Sequence, residues 1–398
     1  MTNAHQAYDL KQLQSLPLEY KIEMTKERIR AWYESWTKFE IIDDKTGKTR
    51  YVTMDTREGY VEPPMKETEW NRYAWDGQVY VSFSGGKDST VLKHIVDSMY
   101  DDVPAVFVNT GLEYPEIQKF VKDIKAGKYS CFNSDVEILR PEMRFDEVLK
   151  NYGYPVASKE VAGYVREALH SKSEKLRNMR IQRLMGEYRR PDGQLSEYNC
   201  PKWGLLLDAP FESSDKCCDV MKKRPIEGFV KRTGRRGIIG TMAWESRFRR
   251  QSWLRYGCNA FDAPTAKKQL CKPLSFWTEQ DILHYIKKYN VPYAPVYGDI
   301  VANTSPEFEG QVNMIDYLGD YEPEDKLKTT GCDRTGCIFC MFGCHLEKEP
   351  NRFQRLKETH PRQYEYCIGG GEMVDGKWQP SKEGLGLGKV LDYIGVKY

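Results

Sequence analysis

Val79-Tyr80-Val81-Ser82-Phe83 runs straight into Ser84-Gly85-Gly86-Lys87-Asp88-Ser89, and this junction decides how the 398-residue chain is read. The first five residues predict a short buried strand. From Ser89 to Met99, the spacing of Val91, Leu92, Ile95 and Val96 predicts a helix that faces a sheet. A strand, a glycine pair and a helix in that order suit a phosphate group. Gly85 and Gly86 let the backbone bend tightly and come close to a ligand. The unpaired amides of the following helix's first turn favour negative charge. Lys87 adds a mobile cation, and the Ser84 and Ser89 hydroxyls add donors. Asp88 would repel a bare phosphate, so its expected work is to orient the loop or to hold magnesium. A plain glycine turn into a capped helix is the competing reading. The spacing is neither G-x-x-x-x-G-K nor G-x-G-x-x-G.

Working outward, further strands are expected at Ala105–Val108, Val136–Leu139 and Gly237–Gly240. Helices are expected at Tyr20–Trp36, Tyr114–Ile124 and Thr278–Lys288, with little regular structure in the glycine-bearing tail before Val390–Val396. Thr46–Thr49 reads as a turn and Tyr51–Met54 as a short strand. Short apolar strands alternating with helices predict an α/β fold with a doubly wound, mostly parallel sheet. Residues 1–70 form an expected N-terminal extension. Residues 71–300 form the nucleotide-binding domain, with a basic helical insertion over about 158–215, and 301–398 a Cys-rich region and tail. Asn109-Thr110-Gly111 follows the second strand. Because the carboxyl ends of parallel strands open on a shared crevice, Asn109 and Gly111 are expected to face the same ligand as the first loop.

Composition narrows the classes. Hydrophobic residues make up 40% and charged residues 30%, with a net charge of +2, which gives no global pull toward nucleic acid or membrane. No apolar run is long enough to span a bilayer, the polar N-terminus does not read as a signal peptide, and a cytoplasmic location is expected. The insertion carries Lys159, Arg166, Lys172, Lys175, Arg177, Arg180, Arg183, Arg189 and Arg190 beside an apolar stripe of Leu169, Leu176, Met179 and Leu184. A solvated helical face is the plain reading, and a platform for RNA or DNA the weaker one.

Eleven cysteines, an odd number in a long chain, argue against a secreted disulfide scaffold. Cys332, Cys337, Cys340 and Cys344 fall within thirteen residues, and Cys217-Cys218 are adjacent. A C-x2-C turn brings two sulfurs to one side, and soft ligands without a nearby carboxylate favour zinc or iron–sulfur. On spacing alone, Cys332, Cys337, Cys340 and Cys344 form a closed zinc or [4Fe–4S] site. Cys131, Cys200, Cys258, Cys271 and Cys367 read as incidental or structural.

The chain resembles the phosphoadenosine phosphosulfate (PAPS) reductase family, within the adenine-nucleotide α-hydrolases that include PP-loop ATP pyrophosphatases. The pieces that carry the resemblance are Ser84–Ser89, Asn109-Thr110-Gly111, Lys216-Cys217-Cys218 with Lys222 and Pro225, Glu245-Ser246 with Arg249, and Lys272–Ile282. In the family's order, they cover residues 80 to about 300. The resemblance implies that the first loop holds phosphate or sulfate, that the Asn109 region lines the adenosine pocket, and that Arg249 beside Glu245 reaches the anionic end of the substrate. It also implies a [4Fe–4S] cluster on Cys217, Cys218, Cys337 and Cys340, which gives the Cys217-Cys218 pair a purpose and releases Cys344 to react. A thiolate near basic groups and a cluster is expected to be acidified, with His345 as a possible assistant. Two features depart from the family: Met242 stands where an arginine often precedes the Glu-Ser pair, and the Glu-Cys-Gly-Leu-His stretch of the reductases is not found.

Two reactions fit these residues. In the first, favoured on the intact loop, ATP is cleaved to AMP and pyrophosphate, an acceptor is activated, and a sulfur donor replaces AMP. Lys87 then stabilises the leaving group with magnesium bridging the phosphates. In the second, a cysteine thiolate attacks the sulfur of adenosine 5′-phosphosulfate (APS) or PAPS, and a dithiol reductant protein releases sulfite. Lys87, Asp88 and Cys344 are the expected catalytic residues. A non-enzymatic nucleotide-binding iron–sulfur module is the third reading.

Overall fold

The computed structural model describes residues 5–42, 49–53, 75–261, 269–303 and 326–398, with backbone alone for 37–42, 49–53 and 75–77. The expected turn at Thr46–Thr49 lies mostly outside these residues, as does the acidic stretch after Val301. In chain order the elements begin with α1 (Ala7–Gln14), α2 (Leu18–Trp36), β1 (Thr37–Ile42), β2 (Thr49–Thr53), β3 (Trp75–Gly77) and β4 (Val79–Ser82). There follow α3 (Lys87–Asp97), β5 (Ala105–Val108), α4 (Pro115–Lys125), β6 (Val136–Leu139), α5 (Phe145–Tyr152), α6 (Lys159–His170) and α7 (Glu174–Met185). Next come α8 (Arg224–Thr233), β7 (Arg236–Ile239), α9 (Arg247–Tyr256), β8 (Leu270–Cys271), α10 (Glu279–Tyr289), β9 (Ile300–Ala302) and β10 (Leu327–Thr329). The chain closes with α11 (Arg352–Thr359), α12 (Pro361–Ile368), β11 (Glu372–Val374), β12 (Lys377–Gln379) and α13 (Leu387–Tyr393).

These elements fold into two compact units that interleave along the chain. The first takes Met1–Val108, Tyr114–Leu139 and Glu227–Thr335, and the second takes Asn109–Glu113, Arg140–Ile226 and Gly336–Tyr398. The expected division at 70 and 300 cuts the chain serially, whereas each unit draws on several separate stretches.

The first unit holds the parallel five-stranded sheet, in the order β6-β5-β4-β7-β8. The chain lays down β4, β5 and β6 toward one edge, then returns to place β7 and β8 on the other side of β4. The order therefore reverses between β4 and β7, and a crevice opens there at the strands' carboxyl ends. Val79 and Val81 are fully buried, with Val91, Leu92, Ile95 and Val96 of α3 against the same core. Ile117, Phe120, Val121 and Ile124 of α4 add to it, as do Ile282 and Ile286 of α10.

The N-terminal helices are part of this core. Ile22, Ile29 and Trp32 of α2 are buried in it. Thr25 Oγ1 accepts the Trp277 indole N–H at 2.9 Å. Lys21 Nζ meets both carboxylate oxygens of Asp281 at 2.8 Å, with the lysine side chain only 3% exposed. Asp281 also caps α10, accepting the Thr278 N–H at 2.6 Å. One buried ion pair thus joins α2 to the start of α10.

At the end of β4, Gly85 adopts a φ of +72°, and a Cβ there would lie 2.8 Å from Ile117 Cγ2. Both the left-handed backbone and the α4 contact require glycine. After β7, a Cβ on Gly240 would lie 3.1 Å from the Asp88 carbonyl, so the chain leaving β7 runs close beside the first turn of α3.

In the second unit, α6 and α7 form the predicted basic insertion, and most of its arginines are engaged internally. Arg166 pairs with Asp215 at 2.8 Å and Arg180 with Glu167 at 2.7 Å. The Arg183 guanidinium lies over the rings of Tyr164, Tyr188 and Tyr198. Among the described residues, no helix is long and apolar enough to cross a membrane.

Lys21→Ala leaves Asp281 buried without its cation and is expected to destabilise the fold by about 3 kcal/mol, read from urea unfolding midpoints. Gly85→Ala, which forces an L-residue into the left-handed region against Ile117, is expected to cost about 2 kcal/mol in the same assay.

Candidate functional site

The crevice predicted by the strand order is present. A cavity of about 380 Å³ is lined by Ser82, Ser84, Gly86, Lys87, Asp88 and Ser89 from the β4–α3 junction. Ile239, Gly240, Thr241, Glu245 and Arg249 come from the segment after β7, and Tyr297, Asp333, Arg334 and Thr335 from later in the chain. All belong to the first unit. Seven of the site residues read from sequence are therefore gathered around one cavity: Ser84, Gly86, Lys87, Asp88, Ser89, Glu245 and Arg249. Gly85 shapes the turn without lining the cavity.

The loop is braced from within. The Ser84 N–H donates to Ser89 Oγ at 3.2 Å, the two serine hydroxyls lie 2.9 Å apart, and Ser89 Oγ donates to the Gly86 carbonyl at 2.9 Å. Helix α3 starts from Gly86, which has no side chain to cap the first turn, and its first residues Lys87, Asp88 and Ser89 line the cavity; amides at such a helix start suit an anion. The Lys87 N–H donates to the Tyr297 hydroxyl at 3.2 Å, and that hydroxyl lies 2.6 Å from Thr335 Oγ1. Burial pushes the Tyr297 phenol up to about 12, which keeps it neutral.

Lys87 is buried, and its ammonium donates to Glu279 Oε1 at 2.6 Å and to the Asp333 carbonyl. Glu245 is the hub of the opposite wall. Its carboxylate accepts the Met242 N–H at 2.8 Å, Arg334 Nη2 at 2.7 Å and the Arg249 guanidinium. Met242 is buried, and the contact it makes with Glu245 is through its backbone. Asp88 differs from its neighbours. Its Oδ1 is buried without a hydrogen-bond partner, and burial raises the carboxyl pKa against the pull of Lys87, Arg334 and Arg249.

Asn109 and Gly111 do not line this cavity. The lining residues opposite the first loop come from the segment after β7, the strand across the reversal of order. The Asn109–Glu113 turn belongs to the second unit instead. There Asn109 Oδ1 accepts the Gly111 N–H at 3.0 Å, and Glu113 accepts the Thr110 N–H at 3.0 Å and the Thr110 hydroxyl at 2.7 Å. The Leu112 carbonyl accepts the Ile338 N–H at 2.8 Å, which ties this turn to the C-x2-C segment.

That segment and the Cys217-Cys218 pair come together in the second unit. The pair precedes a wide helical turn, Asp219–Lys223, that runs into α8. Cys217 interacts electrostatically with Cys218, Cys337 and Cys340. The hydrogen bond from Cys217, aided by Lys159 and Lys222, holds the Cys218 thiol below its ordinary range. Burial pushes Cys337 up to about 11 despite Lys222 beside it. Lys222 is buried, which alone would lower its pKa, yet Cys337 and Glu113 raise it.

Among the described residues, no three His, Cys, Asp or Glu side chains close around a single ion. The alternative zinc set is split: Cys332 falls in the first unit, whereas Cys337, Cys340 and Cys344 fall in the second. Cys344 is 1% exposed, and burial pushes its thiol up to about 11, opposite to the acidified thiolate expected. His345 packs edge-on against Trp203, 4.7 Å between centroids, and burial lowers its pKa.

Sequence reading missed Thr241, Tyr297, Asp333, Arg334 and Thr335 as cavity residues. Glu279 lay within the quoted Lys272–Ile282 motif, but with no role assigned.

Comparison with known proteins agrees with this architecture. The phosphoadenosine phosphosulfate reductase domain family matches residues 78–203 and 198–341, together well over half of the chain. An adenosine 5′-phosphosulfate reductase of Staphylococcus haemolyticus is 22% identical over 228 residues, 56% of this chain and 67% of that protein. One from Oceanobacillus iheyensis is 21% identical over 275 residues, 68% of this chain and 85% of its own length. A crystal structure of a Candida auris PAPS reductase in complex with phosphate aligns with a TM-score of 0.30 and 14% identity, over 54% of this chain and 75% of that one. On the family match, with a parallel sheet whose glycine loop opens at the reversal of strand order, this chain belongs to the PAPS reductase family and is an oxidoreductase-like enzyme of that group.

Proposed function

We propose that the protein reduces a sulfuryl-bearing adenine nucleotide, with APS as first candidate, to sulfite and AMP. The observation that carries this reading is the single cavity in which Ser84, Gly86, Lys87 and Ser89 face Arg249 and Arg334. The loop amides and Lys87 suit the nucleotide's phosphate, and the two guanidiniums suit the anionic sulfuryl end. Two relatives whose names specify APS reductase support the choice of substrate. Glu279 and the Asp333 carbonyl hold Lys87 ready at the wall, and a bound anion offers it a competing partner.

The thiol proposed for the attack is Cys332 and not Cys344. Cys332 directly precedes the lining residues Asp333, Arg334 and Thr335 and belongs to the same unit as the cavity. It is half-buried, whereas Cys344 is sealed. In the proposed step, the Cys332 thiolate attacks the sulfuryl sulfur. The bond from sulfur to the phosphate oxygen breaks, and AMP leaves with its electron pair. The product on the protein is S-sulfocysteine. A dithiol reductant then attacks Sγ of Cys332, sulfite departs, and the reductant's second thiol resolves the mixed disulfide to return Cys332 as thiolate.

The proposed ligands of a [4Fe–4S] cluster are Cys217, Cys218, Cys337 and Cys340. The donor set fits: four thiols lie in one unit in electrostatic contact, with Lys159 and Lys222 beside them to balance an anionic group. When bound, such a group supplies negative charge and redox-capable iron. This chain's own residues hold the four thiols in a cationic, buried setting.

A second reading, cleavage of ATP to AMP and pyrophosphate with sulfur transfer to an acceptor, is favoured by one observation. The unpartnered Asp88 Oδ1 in the cavity wall suits a magnesium ion riding on a polyphosphate.

Anaerobically purified protein with APS and a dithiol is expected to release sulfite and AMP. Lys87→Ala should lower kcat/KM about a hundredfold. Mass spectrometry without reductant should find the sulfonated adduct on Cys332, lost in Cys332→Ser and kept in Cys344→Ser. An adduct on another cysteine refutes the assignment of Cys332. Pyrophosphate from ATP with no sulfite from APS replaces the first reading by the second.

A further inference from the structure

The segment that walls the nucleotide cavity has a second face. Glu245 and Arg249 point to the nucleotide side, while Trp244, Arg247 and Arg250 line a separate cavity of about 450 Å³ closed by α1, with Lys11 on its far wall. Among the described residues that line this cavity, three are cations and none is a carboxylate. The indole of Trp244 is 44% exposed and the Arg334 guanidinium lies 5.4 Å from its ring centroid. Phe248, on the same first turn of α9, is 67% exposed. With a net charge of only +2 over the whole chain, this positive concentration is local.

The combination selects among anions. A small inorganic anion needs the cations but leaves two large aromatic rings in water without purpose. A membrane surface calls for an extended apolar face beside the charge, not isolated rings between arginines. Duplex nucleic acid offers phosphates, yet its bases are already stacked on each other. A single strand offers phosphates to the cations and unstacked bases to the rings.

We propose that Lys11, Arg247 and Arg250 with Trp244 and Phe248 form a binding site for single-stranded nucleic acid, set on the opposite face of the wall that carries Glu245 and Arg249. The site is distinct from the basic insertion, most of whose arginines are engaged internally, and it does not depend on which reaction the nucleotide cavity performs.

The test is fluorescence anisotropy of the full chain with labelled 20-nucleotide single-stranded DNA and RNA and with a duplex of equal length, over a salt series. Single strands are expected to bind at least tenfold tighter than the duplex. Trp244→Ala should weaken that binding about tenfold. The pair Arg247→Gln/Arg250→Gln should reduce the slope of log affinity against log salt by about 1.4, two phosphate contacts' worth. Nucleotide binding in the first cavity, measured by calorimetry on the same variants, should persist and so report an intact fold. Equal affinity for duplex and single strand, no dependence on Trp244, or no binding by the natural chain overturns the proposal. Binding that inorganic phosphate at millimolar concentration displaces fully at constant ionic strength also overturns it, because the site is then one for small anions.

Discussion

Everything at the nucleotide cavity depends on how the backbone leaves β4. The strand is fixed by parallel pairing to β5 on one side and β7 on the other. Gly85 then turns through a positive φ against Ile117, and α3 begins at once. This bend puts the start of α3 at the place in the sheet where strand order reverses. The rest of the site is assembled around that opening. Gly240 lets the β7 segment approach the Asp88 carbonyl, and Tyr297 takes the Lys87 amide. Glu245 collects two arginines opposite.

Electrostatics divide the chain's reactive groups between its two units. In the first, cations line a cavity in whose wall Asp88 carries a buried, unpartnered carboxylate oxygen. In the second, four thiols are packed with Lys159 and Lys222 against a buried carboxylate, Glu113. Cys332 and Cys337 are five residues apart in sequence yet fall on either side of this division. The cysteine-rich segment therefore contributes residues to both units.

What could be read from sequence follows from how far apart the interacting residues lie. Ser84–Ser89 was legible because the strand, turn and helix are contiguous and each has its own local signal. Glu245 and Arg249 share one helical turn and came with the family resemblance. Tyr297 and Glu279 act on Lys87 across about two hundred residues, and no periodicity in either segment announces that. Helix α2 was legible as an amphipathic helix, but its partner was not. Burial of Lys21 against Asp281 makes it part of the core and not an extension. The turn at Asn109 was legible locally, but the side on which strand order reverses depends on where β7 inserts, which no local pattern encodes.

The most direct measurement is a crystal structure of the chain soaked or grown with an adenine nucleotide, APS or ATP. The phosphate oxygens should lie within hydrogen-bonding distance of the amides opening α3, with the Lys87 ammonium drawn from Glu279 toward them. Density for the nucleotide anywhere else, with that glycine bend vacant, contradicts the account.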